Sequence, residues 1–249
     1  MVLNDIAEKY DPTSPEKDFD YWLLTFDFEI LSKFLKGKKV IELGCGRGLL
    51  TEKLASICET LMVSEGSDKN ISFAKERTKN YSNVQFSNSF WQDFEYDGND
   101  ISDVVFFMGL EYLDKYMALK VLNKIKGWLE PNGRLHVVVP NALSLHRRIA
   151  CYMGIINDVH ELSDRDKLYG QRARGVYDRD ILFNEFKECG FKVIHWEGIF
   201  LKPLPNQMMM NLDEKIVRGF NEVGKELPDY CAHIFATCTK TESTLGDKV

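Results

Sequence analysis

Short apolar runs alternate with amphipathic stretches along most of the chain, which is the pattern of strands followed by helices. The run from Lys39 to Leu43 predicts a buried strand, and apolar residues at helical spacing from Leu49 to Ile57 predict the helix after it. An earlier amphipathic stretch, from Asp18 to Lys36, predicts a helix packed on the sheet. Alternation of this kind predicts βαβ crossovers, and therefore an α/β fold with a doubly wound, mostly parallel sheet.

The pattern predicts seven strands in one domain that covers residues 1–240. They run from Lys39 to Leu43, Thr60 to Glu65, Asn83 to Phe86, Ile101 to Met108, Arg134 to Val139, Phe191 to Phe200 and Ala232 to Thr239. Residues 1–17 are polar and contain Pro12 and Pro15, so we expect no regular structure there. The alternation is interrupted over residues 141–177, which predicts a lid inserted after the fifth strand. We expect a disordered tail at 241–249.

Composition and charge narrow the possible partners. The net charge of −6 and the pI near 5.5 disfavour binding to nucleic acid or to an anionic membrane. The six cysteines are scattered and do not join the histidines at metal-ligand spacing, so we expect free thiols, a reducing cytoplasm and no metal. No run approaches the ~20 apolar residues of a membrane span, so we expect no membrane association.

Three glycines at alternate positions follow the first strand and form the glycine loop, Gly44 to Gly48. Such a turn from strand to helix is typical of nucleotide-cofactor sites. A dinucleotide fingerprint would place its third small residue at position 49, where the chain has Leu49. The next strand ends in Glu65, where nucleotide-binding sheets place the acceptor for ribose hydroxyls.

The segment from Glu42 to Gly48 resembles the glycine loop of class I S-adenosylmethionine-dependent methyltransferases, acidic residue included. Further motifs follow in family order across residues 38–140, and later strands to about 240. The resemblance implies a Rossmann-like fold, S-adenosylmethionine as cofactor and S-adenosylhomocysteine as product. The cofactor-binding residues that it implies are Glu42, Gly44, Cys45, Gly46, Glu65, Gly66, Ser89, Phe90, Met108 and Gly109.

Methyl transfer from a sulfonium requires a base only if the nucleophile is a hydroxyl or a protonated amine. His146 follows the fifth strand at the carboxyl edge of the sheet and is our candidate base, although it could instead be an exposed or helix-capping residue. The segment that contains Glu111 and Tyr112 resembles a Leu-Glu-His segment of small-molecule methyltransferases, with Tyr112 in place of the histidine. Glu111 could orient the acceptor, touch the cofactor or simply cap the following helix, and Glu111 and Tyr112 complete the predicted catalytic residues.

The inserted segment is rich in arginine. Six of the ten arginines lie within 33 residues, at Arg147, Arg148, Arg165, Arg172, Arg174 and Arg179. Acidic residues between them are also consistent with a solvated charged face, but guanidinium groups suit phosphate or carboxylate. The segment resembles a subgroup that methylates bacterial sugars, capsules and surface polysaccharides. The predicted substrate-binding residues are Asn141, Arg147, Tyr169, Arg172, Arg174 and Tyr177.

The sequence therefore predicts a methyltransferase for a small anionic acceptor, through O-methylation of a sugar, nucleotide sugar, or phosphorylated or phosphoramidate polysaccharide precursor. The alternatives are N-methylation of an amino sugar or another small metabolite, a nicotinamide-dependent sugar oxidoreductase, and a non-catalytic binding protein. Leu49 counts against the oxidoreductase. We expect a monomer or a homodimer.

Overall fold

The computed structural model describes residues 2–162 and 175–241, and in this part of the chain a seven-stranded sheet forms the centre of the fold. Its strands are β1 (Lys39–Leu43), β2 (Thr60–Glu65), β3 (Val84–Asn88), β4 (Ile101–Phe107), β5 (Leu129–Pro140), β6 (Phe191–Ile199) and β7 (His233–Lys240). The strand order is β3-β2-β1-β4-β5-β7-β6. All neighbours pair in parallel except β7, which is antiparallel to both β5 and β6. The predicted α/β fold with a mostly parallel sheet is confirmed.

The helices lie between the strands, as the alternating pattern predicts. They are α1 (Val2–Lys9), α2 (Asp20–Phe34), α3 (Leu49–Ala55), α4 (Asp68–Arg77), α5 (Lys115–Trp128), α6 (Leu145–Tyr152), α7 (Arg179–Glu188), α8 (Asn206–Met209) and α9 (Glu214–Glu226). Short 3₁₀ turns occur at Leu110–Tyr112 and Pro228–Tyr230. None of the helices in the described ranges is long and apolar enough to span a bilayer.

Two apolar cores lie on the two faces of the sheet. Alternate side chains of a strand point to opposite faces, so Val104 and Phe106 of β4 enter one core while Val105 and Phe107 enter the other. All seven residues of β4 are buried, because helices cover the sheet on both sides. The sequence of this strand is a continuous apolar run because both of its faces are packed against other parts of the protein.

Two element boundaries differ from the sequence predictions. Residues 2–9 form α1, although we expected no regular structure before Pro12. Strand β5 begins at Leu129 rather than at Arg134, because Leu129 pairs with Ile101 before a register shift. The residues around Gly133 lie in that irregularity, a few positions after α5 ends at Trp128.

The strand order reverses its direction at β1, between β2 and β4, and this reversal positions the site. In open α/β sheets, ligands bind outside the carboxyl ends of the strands at such a switch point. The glycine loop leaves β1 at this point. Tyr169, Arg172, Arg174 and the tail after Thr241 lie outside the described residues.

Candidate cofactor and acceptor site

The glycine loop connects β1 to α3 through backbone conformations that suit glycine. Gly48 has φ of 80° and lies so close to α4 that a Cβ atom would come within 2.6 Å of the Ala74 Cα. Gly46 has φ of 48°, but a Cβ atom there would meet no described atom within 4 Å. Gly48 therefore serves the packing of α3 on α4, whereas Gly46 leaves open space at the carboxyl edge where a ligand can approach the backbone.

Glu65 ends β2 and turns its carboxylate toward the glycine loop. Its Oε2 accepts the backbone N–H groups of Cys45 at 3.2 Å and Gly46 at 3.3 Å, while Oε1 accepts that of Ser67 at 2.9 Å. The side chain is 8% exposed. These three bonds use three of the roughly four acceptor positions of a carboxylate, so Oε1 keeps one for a hydroxyl of the ribose that the sequence predicts here.

Glu42 lies one strand away and is buried among apolar residues at 1% exposure. The nearby Thr51 hydroxyl favours its charged form, but neither carboxylate oxygen completes a hydrogen bond with a described residue. Burial, reinforced by the charge of Glu65, raises the pKa of Glu42 from 4.5 to about 8. Without a cation beside it the group therefore keeps its proton near neutral pH, and a cationic ligand group such as the α-ammonium of S-adenosylmethionine would favour its ionised form.

The adenine-side residues follow β3. Ser89 donates its backbone N–H to the Glu65 carbonyl at 3.1 Å, which fixes the chain next to β2. The Phe90 ring lies over Gly66, where a Cβ atom would come within 3.0 Å of it, yet Phe90 is 51% exposed. The predicted residues Ser89, Phe90 and Gly66 are thus neighbours, and the exposed ring offers a stacking surface for a purine.

The end of β4 carries Met108 and Gly109. Met108 has φ of 51°, a strained value for a residue with a side chain, and its N–H donates to the Val138 carbonyl at 2.8 Å. A Cβ atom on Gly109 would overlap the Phe106 ring at 2.0 Å. These two residues therefore form a tightly specified turn beside the glycine loop.

Trp91 is a site residue that our sequence analysis does not include. A Cβ atom on Gly44 would come within 3.3 Å of the Trp91 indole. The indole also contacts Phe106 edge-to-face, with 5.2 Å between centroids, and its centroid lies 6.4 Å from that of Tyr112. The sequence does contain a signal for Trp91, because it comes one residue after Phe90, in a loop at the carboxyl edge.

His146 lies in the first turn of α6, at the carboxyl edge. Its side chain is partly exposed, but Nδ1 is buried and has no hydrogen-bond partner among the described residues. Burial, with the positive charges of Lys202 and Arg147, holds the pKa of His146 well below its usual range. The imidazole is therefore neutral near neutral pH and has a lone pair that can accept a hydrogen bond, while the lowered pKa makes it a weaker base than an exposed histidine.

The other two predicted catalytic residues are in the 3₁₀ turn after β4. Glu111 is fully buried, whereas Tyr112 is 37% exposed. The Tyr112 ring lies beside Trp91, which packs against Gly44 of the glycine loop. Both residues come within three positions of Gly109, in the turn that follows the carboxyl end of β4.

Three predicted substrate-binding residues make contacts within the protein. Asn141 donates to the carbonyls of Asp229 and Cys231 at 3.0 and 2.9 Å. The Tyr177 hydroxyl is fully buried and donates to Glu185 at 3.2 Å. Arg147 is 7% exposed and donates through Nε to the Val159 carbonyl at 2.7 Å. These contacts hold the inserted segment together.

A polar group at the acceptor side, which we call the acceptor-side network, joins segments far apart in the sequence. It consists of Tyr10, Asp18, Asp20, Lys202 and Asn206. Tyr10 donates its hydroxyl to Asp20 at 2.9 Å, and the Asn206 amide donates to Asp18 and Asp20 at 3.0 and 2.7 Å. Lys202 donates to the Asn206 carbonyl oxygen at 2.5 Å. No sequence motif marked these residues.

A family model described as a methyltransferase domain matches residues 40–133 of the chain. A comparison with curated proteins finds no match. Among solved structures, the N-methyltransferase NodS from Bradyrhizobium japonicum WM9, in complex with S-adenosylhomocysteine, is 17% identical, with a TM-score of 0.58, over 90% of this chain and 88% of that one.

Two further structures have the same fold. A putative S-adenosylmethionine-dependent methyltransferase from Listeria monocytogenes is 17% identical, with a TM-score of 0.60, over 88% of this chain and 98% of that one. Phosphoethanolamine N-methyltransferase 1 from Haemonchus contortus is 14% identical, with a TM-score of 0.60, over 90% of this chain and 44% of that one. The domain match and the fold support an S-adenosylmethionine-dependent methyltransferase, which confirms the predicted enzyme class and supports the predicted cofactor.

Proposed function

We propose that this methyltransferase methylates an oxygen of a small anionic acceptor, such as a sugar, a nucleotide sugar, or a phosphorylated or phosphoramidate precursor of a capsule or polysaccharide. The observation that carries the proposal is a neutral imidazole at the carboxyl edge of the sheet, that of His146. The positive charge of the Lys202 ammonium acts on this imidazole and helps to lower its pKa. A hydroxyl nucleophile needs such a base, and an ammonium attracts an anion.

S-adenosylmethionine supplies an electrophilic methyl carbon attached to a sulfonium leaving group. Glu65 would hold a ribose hydroxyl and Glu42 the ammonium, while the turn at Met108 and Gly109 fixes the floor of the site. His146 would take up the proton that the acceptor hydroxyl loses as its oxygen gains the methyl group, and S-adenosylhomocysteine would be released with the electrons of the broken carbon–sulfur bond. The protein contributes alignment and exclusion of water.

Phosphorylated acceptors are compatible with this fold. Geranyl diphosphate is bound in a C-methyltransferase from Streptomyces coelicolor that is 12% identical, with a TM-score of 0.57, over 86% of this chain and 76% of that one. Phosphoethanolamine is bound in the Haemonchus contortus enzyme. In this chain, Arg172 and Arg174 remain the proposed partners of the anion, because Arg147 binds backbone carbonyls instead.

The second candidate is N-methylation of an amino sugar. The carboxylates of Asp18 and Asp20 in the acceptor-side network favour it, because they would attract a protonated amine. Both candidates use the same cofactor. All six cysteines are free, which is consistent with the reducing cytoplasm in which we place either reaction.

The test is a screen of nucleotide sugars, sugar phosphates and amino sugars that measures S-adenosylhomocysteine release. With the acceptor identified, Lys202→Ala and Arg172→Ala are expected to raise its Michaelis constant without changing cofactor affinity. His146→Asn is expected to lower turnover. The exposed Lys192→Ala is the matched control and is expected to change neither parameter. Efficient methylation of neutral acceptors only would defeat the anionic-acceptor proposal.

A further inference from the structure

The N-terminal helix α1 lies across the two loops that form the candidate cofactor site. A Cβ atom on Gly66 would come within 3.2 Å of the Leu3 side chain. The Ser67 hydroxyl donates to the Asn4 side-chain oxygen at 2.7 Å. The first turn of α1 therefore covers the end of β2, next to the carboxylate of Glu65.

Arg47 holds the other end of α1 from within the glycine loop. Its Nε and one Nη donate to the Ala7 carbonyl at 3.0 and 2.7 Å, and the same Nη donates to the Glu8 carbonyl at 3.0 Å. The second Nη pairs with Asp11 at 3.0 Å, and the guanidinium stacks on the Phe73 ring at 4.3 Å. A cation at the carbonyl end of a helix is also favoured by the helix dipole.

These contacts decide where α1 lies, because α1 cannot hold its position alone. Isolated helices of this length are not stable in water, so eight residues depend on tertiary contacts. The ion pair between Lys69 of α4 and Glu8 of α1 is exposed and contributes little. The Arg47 side chain is only 15% exposed, and each of its three nitrogens donates a hydrogen bond to α1 or to Asp11.

We propose that Arg47 is a positioning residue that fastens α1 over the bound cofactor, and that release of α1 from Arg47 limits the departure of S-adenosylhomocysteine. Arg47 acts through α1, whereas its neighbours Gly46 and Glu65 face the cofactor. This inference rests on the proposed methyltransferase function. Helix α1 is then a lid over the cofactor, and Arg47, the residue that holds this lid in place, belongs to the glycine loop itself.

The test uses the full chain and four proteins: wild type, Arg47→Ala, Arg47→Lys and the control Arg77→Ala. Arg77 pairs with Glu52 at 2.9 Å between α3 and α4, on the side of α4 that Arg47 does not join to α1, so it controls for loss of a nearby ion pair. Stopped-flow tryptophan fluorescence, with Trp91 against Gly44 as reporter, gives the dissociation rate of S-adenosylhomocysteine. Amide hydrogen exchange over Val2–Lys9 gives the opening of α1.

Arg47→Ala is expected to increase both the dissociation rate and the exchange of α1 by about ten-fold or more, since several hydrogen bonds to a charged group are lost. Arg47→Lys is expected to show smaller increases in the dissociation rate and in the exchange of α1. Arg77→Ala is expected to change neither. An unchanged dissociation rate, or a faster one with unchanged α1 exchange, would overturn the inference while leaving the function intact. Failure of the wild type to bind S-adenosylhomocysteine would instead refute the proposed function, and the role of α1 with it.

Discussion

Glu65 uses one carboxylate to organise three backbone N–H groups of two loops, so its replacement removes more than a ligand contact. Glu65→Ala is expected to weaken S-adenosylhomocysteine binding by about 1.5–3 kcal/mol, the scale of hydrogen bonds to a charged group. Calorimetric titration measures this loss. Glu59→Ala, at an exposed position just before β2, is the control and is expected to bind normally. Unchanged affinity in Glu65→Ala would contradict the assignment of Glu65 to the ribose.

Glu42 makes a different prediction, because its pKa is raised from 4.5 to about 8 by burial. Between these two pH values the folded protein keeps a proton that the unfolded chain has lost, so the free energy of unfolding falls as pH rises. Glu42→Gln cannot ionise, so its free energy of unfolding is not expected to fall in this way. After the difference between the two proteins at pH 4.5 is subtracted, Glu42→Gln is expected to be about 1–4 kcal/mol more stable than wild type at pH 8.5.

Denaturant unfolding at both pH values measures the difference between wild type and Glu42→Gln. The same pH dependence in both proteins would show that Glu42 ionises normally in the folded state. It would also remove the argument that this carboxylate is reserved for a cationic group of the cofactor.

Residues of the cofactor side could be predicted from sequence because they lie within a few positions of one another. Glu42 lies in β1, Gly44 and Gly46 follow that strand, and Glu65 ends the next one. The acceptor-side network could not be predicted in this way. Its members come from residues 10–20, up to the start of α2, and from residues 202–206 after β6, and only the fold brings Tyr10, Asp20 and Asn206 together.

At the scale of elements, the turn between β1 and α3 contains two glycines with different roles. Gly46→Ala is expected to fold, at a cost of about 1–2 kcal/mol for its positive φ, but to lose cofactor binding, because its Cβ would enter the open space at the carboxyl edge. Gly48→Ala is expected to lower the free energy of unfolding by about 1–3 kcal/mol, because its Cβ would overlap Ala74 of α4. Thermal unfolding and calorimetric titration of both variants separate the two effects. Tight cofactor binding by Gly46→Ala would refute the glycine-loop assignment.

The elements could be predicted where the apolar residues followed one clear pattern. This pattern is a continuous run in β4 and helical spacing in α5. Helix α1 was missed because its polar residues and the following prolines resemble an irregular segment, and its contacts come from Arg47 and Ser67 far along the chain. The start of β5 was missed because the turn signal at Pro131 and Gly133 concealed the pairing of Leu129 with Ile101. In both cases tertiary contacts override the local signal.

At the scale of the whole molecule, the two cores share one sheet, and we propose that they unfold together as the single domain that the sequence predicts. Leu54 in α3 and Leu122 in α5 are fully buried in opposite cores. Leu54→Ala and Leu122→Ala are each expected to lower the free energy of unfolding by about 2–5 kcal/mol, and the double variant by the sum. The exposed Ile57→Ala is the control, with an expected change within about 0.5 kcal/mol.

Denaturant unfolding followed by circular dichroism and by tryptophan fluorescence tests this proposal in wild type and in the four variants. A single transition, coincident in both signals, is expected for one cooperative unit. Two separated transitions, each moved by one of the two substitutions, would show independent units.

The inserted segment leaves and rejoins the sheet at one point, because Asn141 and Tyr177 form a parallel bridge. The Ala142 N–H donates to the Tyr177 carbonyl at 2.7 Å, and the Tyr177 N–H to that of Pro140 at 3.1 Å. Between two joined ends, doubling the length of a flexible segment costs only about 0.6 kcal/mol of closure entropy. The length of this segment can therefore change during evolution at little cost in stability. A changed segment could bind a different acceptor while the glycine loop and its proposed cofactor stay the same.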